Sequence, residues 1–232
     1  MKTVDALLKR TDIRLFLLCY VFFTLFSGVD IYVSSLFYTA QEKFYLDDIL
    51  FNRFIHTTFA RIHIVWLLLF IFGFIYYRRK GMFARQKAVL FLIVTMVVGP
   101  GLLVNVFIKD NSIGRARPVH IQEFGGDATF TPAFIQSGQC EKNCSFVSGH
   151  ASIGFYAIAL SWLYPRRRWF WAGFSLGAVI GASRIMEGGH FLSDVIFAFW
   201  AVYFTTLVIG KLFGYTPPPI SLFKPKEIMT QD

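Results

Sequence analysis

Apolar residues along this chain come in six long blocks divided by short polar segments, at approximately 15–37, 57–77, 88–108, 151–164, 169–185 and 192–213. A helix needs about 20 mainly apolar residues to cross the hydrocarbon core of a bilayer. All but the fourth block approach that length, and the fourth is expected to borrow its first turn from the residues before it. None shows the period-two alternation of a barrel strand, and backbone amides in lipid must be bonded within their own segment, so each block is expected to be helical. The pattern predicts an all-α, polytopic membrane protein of six transmembrane helices. No internal repeat or composition shift divides it, so residues 1–232 are expected to form a single domain. The first block follows a charged start, is too long for a signal peptide and has no small-residue cleavage site after it, so it is expected to stay as a span.

Composition agrees. The chain is 55% hydrophobic and holds 28 phenylalanines, more apolar surface than one soluble core of this length buries. A formal charge of +9 would raise nucleic acid as a partner of a soluble chain, but here the basic residues lie in short runs between apolar blocks and report topology instead. Lys2, Lys9, Arg10 and Arg14 surround the start of the first block; Arg78, Arg79, Lys80, Arg85 and Lys87 follow the second; Arg166, Arg167 and Arg168 follow the fourth; Lys224 and Lys226 lie in the tail. These segments and both termini are expected in the cytoplasm. The connection after the first block sets Glu42, Asp47 and Asp48 against Lys43 and Arg53, and is expected outside with the connections after the third and fifth blocks.

Nearly all the unusual polar residues fall on that outer side. KDNSIGRARP carries Lys109, Arg115 and Arg117, whose planar forks and point charge suit the oxygens of a phosphate. The same cluster could anchor lipid headgroups, although cations outside run against the usual charge bias. CSFVSGH places Ser148, Gly149 and His150 just before the fourth block, where a helix start offers backbone donors to an anion; a histidine there could equally be a cap or a buried ring. SRIMEGGHFLSD places Ser183 and Arg184 at the end of the fifth block and His190 and Asp194 at the start of the sixth. A spacing of four puts His190 and Asp194 on one helical face, where the carboxylate could fix the imidazole tautomer and leave the other nitrogen to attack. A lone pair of this kind can also be incidental to a helix start. His150, His190 and Asp194 could in principle ligate zinc, but the surrounding arginines would repel a divalent ion, so no metal is expected.

Together these blocks resemble the three-part signature of the type 2 phosphatidic acid phosphatase family, K-x6-RP, PSGH and SR-x5-H-x3-D. The third block fits at every position. The second has Val147 where the family has proline. The first has seven residues between Lys109 and Arg117 instead of six, which would swing Lys109 by about 100° if the insertion were helical. The resemblance implies the six-helix bundle shared with haloperoxidases and a lipid phosphatase that needs no cofactor. It implies His190 as nucleophile, Asp194 as its partner and His150 as general acid and base. It also implies Lys109, Arg117 and Arg184 around the phosphate, with Ser148 and Gly149 as further donors; Arg115, from the same basic cluster, is expected as a further phosphate ligand. Flanking strings are similar to the branch that removes the 4′-phosphate of lipid A in Gram-negative bacteria, which implies the inner membrane and a periplasmic active site. A phosphatase of undecaprenyl diphosphate or phosphatidylglycerol phosphate, a lipid phosphotransferase and, in another class, a small-anion channel stand as alternatives.

Weaker signals remain. Cys140 and Cys144 are spaced so that a disulfide is allowed, while Cys19 is a small apolar residue in a span. Asp30, Arg61 and His63 are ionisable groups in or near spans, and an Asp30–Arg61 ion pair is expected in preference to a proton path. Residues 119–143 are long enough to select a headgroup, with Glu123 and Asp127 able to meet sugar hydroxyls. Oligomeric state leaves no mark in the sequence.

Overall fold

The computed structural model describes residues 10–218 except 40, 42 and 110–112; the basic residues 2, 9, 224 and 226 lie outside the described residues. The helices are α1 (Thr11–Leu25), α2 (Gly28–Ser35), α3 (Leu50–Arg79) and α4 (Phe83–Met96), the last continuing as a π-helix over Val97–Lys109. A short hairpin, β1 (Tyr38–Thr39) and β2 (Lys43–Phe44), follows α2. After an irregular loop come α5 (Gly149–Phe155), a 3-10 turn over Tyr156–Ala159 and α6 (Leu160–Leu163), then α7 (Arg167–Met186) and α8 (Leu192–Leu212).

Three helices are long and apolar enough to cross a membrane: α3, the Phe83–Ile108 continuation of α4, and α8. The first block is not one straight helix. It breaks at Ser27 into α1 and α2, which meet at 82°, and counts as a fourth crossing only if the bent pair is one span. The fourth and fifth blocks do not qualify by length and composition. The fourth is divided into three short pieces, and α7 trades apolar bulk for Gly173, Gly177, Gly181, Ser175 and Ser183, with Arg184 near its end.

Those small residues have a packing reason. Gly173, Gly177 and Gly181 recur every four positions and so share one face of α7, the stripe by which membrane helices bring their backbones together. A methyl on Gly177 would lie 2.2 Å from the Phe155 ring, and one on Gly173 2.4 Å from the backbone nitrogen of Ile158. On α5, a methyl on Gly154 would come 2.8 Å from the Gly177 Cα. The α5–α6 segment therefore lies flush against α7. Around this pair α8 supplies the aromatic core, with Phe197, Phe199, Trp200 and Tyr203 buried. The apolar window of α8 is 67% buried and that of α3 only 6%, which makes α8 the central helix and α3 a peripheral one whose Leu68, Leu69 and Phe72 face outward.

Candidate active site

The turn between α7 and α8 gathers the third motif. The amides of Gly189 and His190 both donate to the Arg184 carbonyl, at 2.9 and 3.2 Å, closing the turn over the helix end. Gly188 has φ of 65°, a left-handed conformation that favours glycine, and a Cβ there would also meet the Phe44 ring at 2.5 Å. His190 is fully buried. Its Nδ1 lies 2.7 Å from the Ser145 carbonyl oxygen and 3.6 Å from Asp194 Oδ2. A carbonyl only accepts, so the network assigns the proton to Nδ1 and the lone pair to Nε2. The carbonyl is thus the nearer partner of that proton, with the Asp194 carboxylate expected from the spacing 3.6 Å away. Asp194 is engaged elsewhere: Oδ1 accepts from Arg115 Nη1 at 2.7 Å, and Oδ2 from Ser145 Oγ at 2.5 Å and the Phe191 amide at 2.8 Å.

Arg115 corrects a second expectation. Anticipated beside the phosphate, it is completely buried, and its donors go to the protein. Nε donates to the Thr131 carbonyl at 2.7 Å, Nη1 to Ser193 Oγ and Asp194 Oδ1 at 2.9 and 2.7 Å, and Nη2 to Asp30 Oδ2 at 2.8 Å. The Phe191 ring lies 4.1 Å from its guanidinium carbon. Asp30 also accepts from the Ser193 amide and hydroxyl at 2.9 and 2.5 Å. The partner of Asp30 is therefore Arg115, and the expected Asp30–Arg61 pair does not form; Arg61 is exposed. One guanidinium between two carboxylates ties α2, the loop and α8 together at depth, where an isolated charge would be costly.

The second motif joins the third through the backbone, the Ser148 amide donating to the Asp194 carbonyl at 3.1 Å. Ser148 is the N-cap of α5, its hydroxyl oxygen accepting from the Ala151 amide at 3.4 Å. Gly149 is buried, and His150, one residue further along α5, is partly exposed. The His150 ring meets His56 of α3 edge to face at 5.1 Å. Arg184 is buried and donates to Glu187, whose other oxygen accepts from Ser183 Oγ at 3.2 Å. The same hydroxyl lies 2.8 Å from Asn52 Oδ1, so its one proton is shared between the two acceptors, and His56 Nδ1 lies 3.5 Å from Glu187. Arg117 holds the Asn143 carbonyl with Nε and Nη2 at 3.2 and 2.8 Å, and is close enough to Arg184 for the two cations to repel. Burial draws the Arg117 guanidinium below its ordinary pKa, while the Asp194 carboxylate acts the other way. Asn143 sits inside the loop closed by the Cys140–Cys144 disulfide, which does form, with Cα atoms 5.6 Å apart. Lys109 ends the π-helical stretch, and its side chain lies outside the described residues.

These contacts tie Ser148 to Asp194 through the backbone, link His150 to Arg184 by way of His56 and Glu187, and set Arg117 beside Arg184, while Arg115 is turned inward. Among the described residues, no three His, Cys, Asp or Glu side chains converge as metal ligands. Asn52, His56, Ser145, Glu187 and Ser193 were not singled out from the sequence. Glu187 stood inside the third motif, whereas His56 fell just ahead of the second block and becomes part of the site because α3 begins at Leu50.

Residues 88–217 match the family description "PAP2 superfamily". The chain is 40% identical over 202 residues to a lipid A 4'-phosphatase of Francisella tularensis subsp. novicida (strain U112), covering 83% of this chain and 90% of the relative. It is 30% identical over 193 residues to a lipid A 4'-phosphatase of Rhizobium leguminosarum, covering 75% and 82%. A lipid A 1-phosphatase of Rhizobium etli (strain ATCC 51251 / DSM 11541 / JCM 21823 / NBRC 15573 / CFN 42) is 38% identical over 132 residues, covering 53% of each chain. No solved structure matches. With more than half its length inside the family match and a 40% identical relative aligned over 83% of it, the chain belongs to the PAP2 superfamily.

Proposed function

We propose that this protein is an integral-membrane hydrolase that removes the 4′-phosphate of lipid A at the periplasmic face of a bacterial inner membrane. The alignment with the Francisella lipid A 4'-phosphatase, extending over 83% of this chain, carries the reading. The relatives named for the 1-phosphate align over only about half of the chain, 53% and 52%, which favours the 4′ position. The chain acts as one domain over residues 1–232. It crosses the bilayer six times, the glycine-lined α7 and the segmented α5–α6 crossing within the bundle against each other, where apolar bulk matters less than close approach.

In the proposed reaction, His190 Nε2 attacks the phosphorus and the bond to the sugar oxygen breaks. His150 gives that oxygen its proton, and a phosphohistidine remains on His190. Water then attacks the phosphorus as His150 removes its proton, the Nε2–phosphorus bond breaks, and inorganic phosphate leaves. The Ser145 carbonyl supports Nδ1–H in both steps, and the Asp194 carboxylate at 3.6 Å favours the imidazolium-like charge that develops. Arg117, Arg184 and Lys109 neutralise the non-bridging oxygens, with Ser148 and the Gly149 amide as further donors; such electrostatic positioning provides most of the catalysis in phosphoryl transfer. Arg184 exchanges Glu187 for the phosphate when substrate enters. Mass spectrometry of lipid A incubated with the purified protein tests the reading. Loss of one phosphate from the 4′ sugar is expected; loss from the reducing sugar, or release from undecaprenyl diphosphate with lipid A untouched, would overturn it.

A further inference from the structure

Beside the phosphate-binding cations lies a cavity of about 320 Å³ that the reaction does not use. Phe44 and Phe124 form its floor, with ring centroids 5.3 Å apart, and Lys43, Asp47 and Asp48 stand at its rim. Tyr38, Val119 and Glu187, the carboxylate that Arg184 holds, complete its walls. The cavity therefore begins where the phosphate site ends. Asp47 is near enough to act electrostatically on both Arg184 and His56. The hairpin that supplies Phe44 is locked to the catalytic turn, because Gly188 leaves room for the Phe44 ring and its carbonyl accepts from the Val119 amide at 3.1 Å.

Building on the lipid A reading above, we propose that this cavity is the subsite for the sugar ring that carries the scissile phosphate. The chemistry of its walls selects that ligand. A sugar presents an apolar face of C–H groups that suits an aromatic floor and a rim of hydroxyls that suits carboxylate acceptors and an ammonium donor. Three carboxylates around one cavity repel a second anion, so an anionic headgroup is disfavoured and a neutral polyol is accepted. A lipid phosphate lacking the sugar, such as phosphatidic acid, leaves these groups without substrate partners. The subsite thus separates substrates that share the same phosphomonoester. The loop contributes Phe124 to this cavity, while Glu123 and Asp127, the residues of that loop anticipated for sugar contacts, are not among its walls.

Kinetics of the full-length protein in detergent micelles test this, comparing lipid A with phosphatidic acid. In the doubly substituted Asp47→Asn, Asp48→Asn protein the ratio of kcat/KM for lipid A to that for phosphatidic acid is expected to fall by at least about tenfold, mainly through KM. A ratio within twofold of the wild type overturns the subsite and leaves the phosphatase reading intact. Wild-type protein that cleaves phosphatidic acid but not lipid A overturns both. Independently of turnover, maleimide labelling of an Asp48→Cys protein is expected to slow when dephosphorylated lipid A is present and to be unaffected by diacylglycerol. Equal labelling with and without the sugar lipid contradicts the proposal.

Discussion

Arg115 and Asp194 each take their role from their surroundings. Both belong to sequence blocks rich in phosphate-binding chemistry, yet Arg115 is buried against Asp30 and Asp194, and Asp194 faces Arg115 more closely than it faces His190. An Arg115→Ala protein leaves two buried carboxylates without their cation, so we expect a loss of about 3–5 kcal/mol of stability, visible as a lowered midpoint in thermal denaturation in detergent. A phosphate ligand at this position would instead raise KM with an unchanged midpoint. His150 is expected to behave differently again: in the reaction proposed above, His150→Ala lowers kcat by about 10²–10⁴-fold with little change in KM, as measured on lipid A. The spacing of His190 and Asp194 made the pair legible in the sequence, but the Ser145 carbonyl was not, because a backbone acceptor has no side-chain signature. Glu187 and His56 escaped for a related reason, since a carboxylate or imidazole becomes part of a site only when folding brings it to one.

At the scale of elements, apolar block length located the long helices well. The expected 192–213 block corresponds to α8 at Leu192–Leu212, and the 88–108 block lies within Phe83–Ile108. It did not show the break between α1 and α2 or the π-helical stretch after α4, where Pro100 lacks an amide proton and the Asn105 side chain donates to the Pro100 carbonyl at 2.6 Å. Nor did hydropathy explain α7, whose small residues report contact with a neighbouring helix instead of lipid. Gly177→Val would drive a branched side chain into Phe155 and is expected to destabilise the protein by at least about 1–3 kcal/mol, read as a lowered denaturation midpoint. The Cys140–Cys144 loop carries the Asn143 carbonyl that holds Arg117. Replacing both cysteines by serine is expected to raise KM severalfold while leaving kcat within about twofold, checked by steady-state kinetics under non-reducing conditions.

For the whole molecule, the membrane character was plain from composition, and the family from three short motifs. The central position of α8 required coordinates, because exposure to lipid and burial in protein call for the same apolar residues. The topology proposed here expects a thiol placed at Asp48 to react with a membrane-impermeant reagent in intact spheroplasts, and one placed at Lys80 to react only after permeabilisation. The reverse pattern would move the active site to the cytoplasm. The most direct test of the account is rapid acid-free quenching of the enzyme during turnover of lipid A labelled in its 4′-phosphate. We predict an acid-labile, alkali-stable phosphate on the peptide containing His190, absent from a His190→Ala protein that no longer turns over. Full turnover by that variant, or label on a different residue, would contradict it.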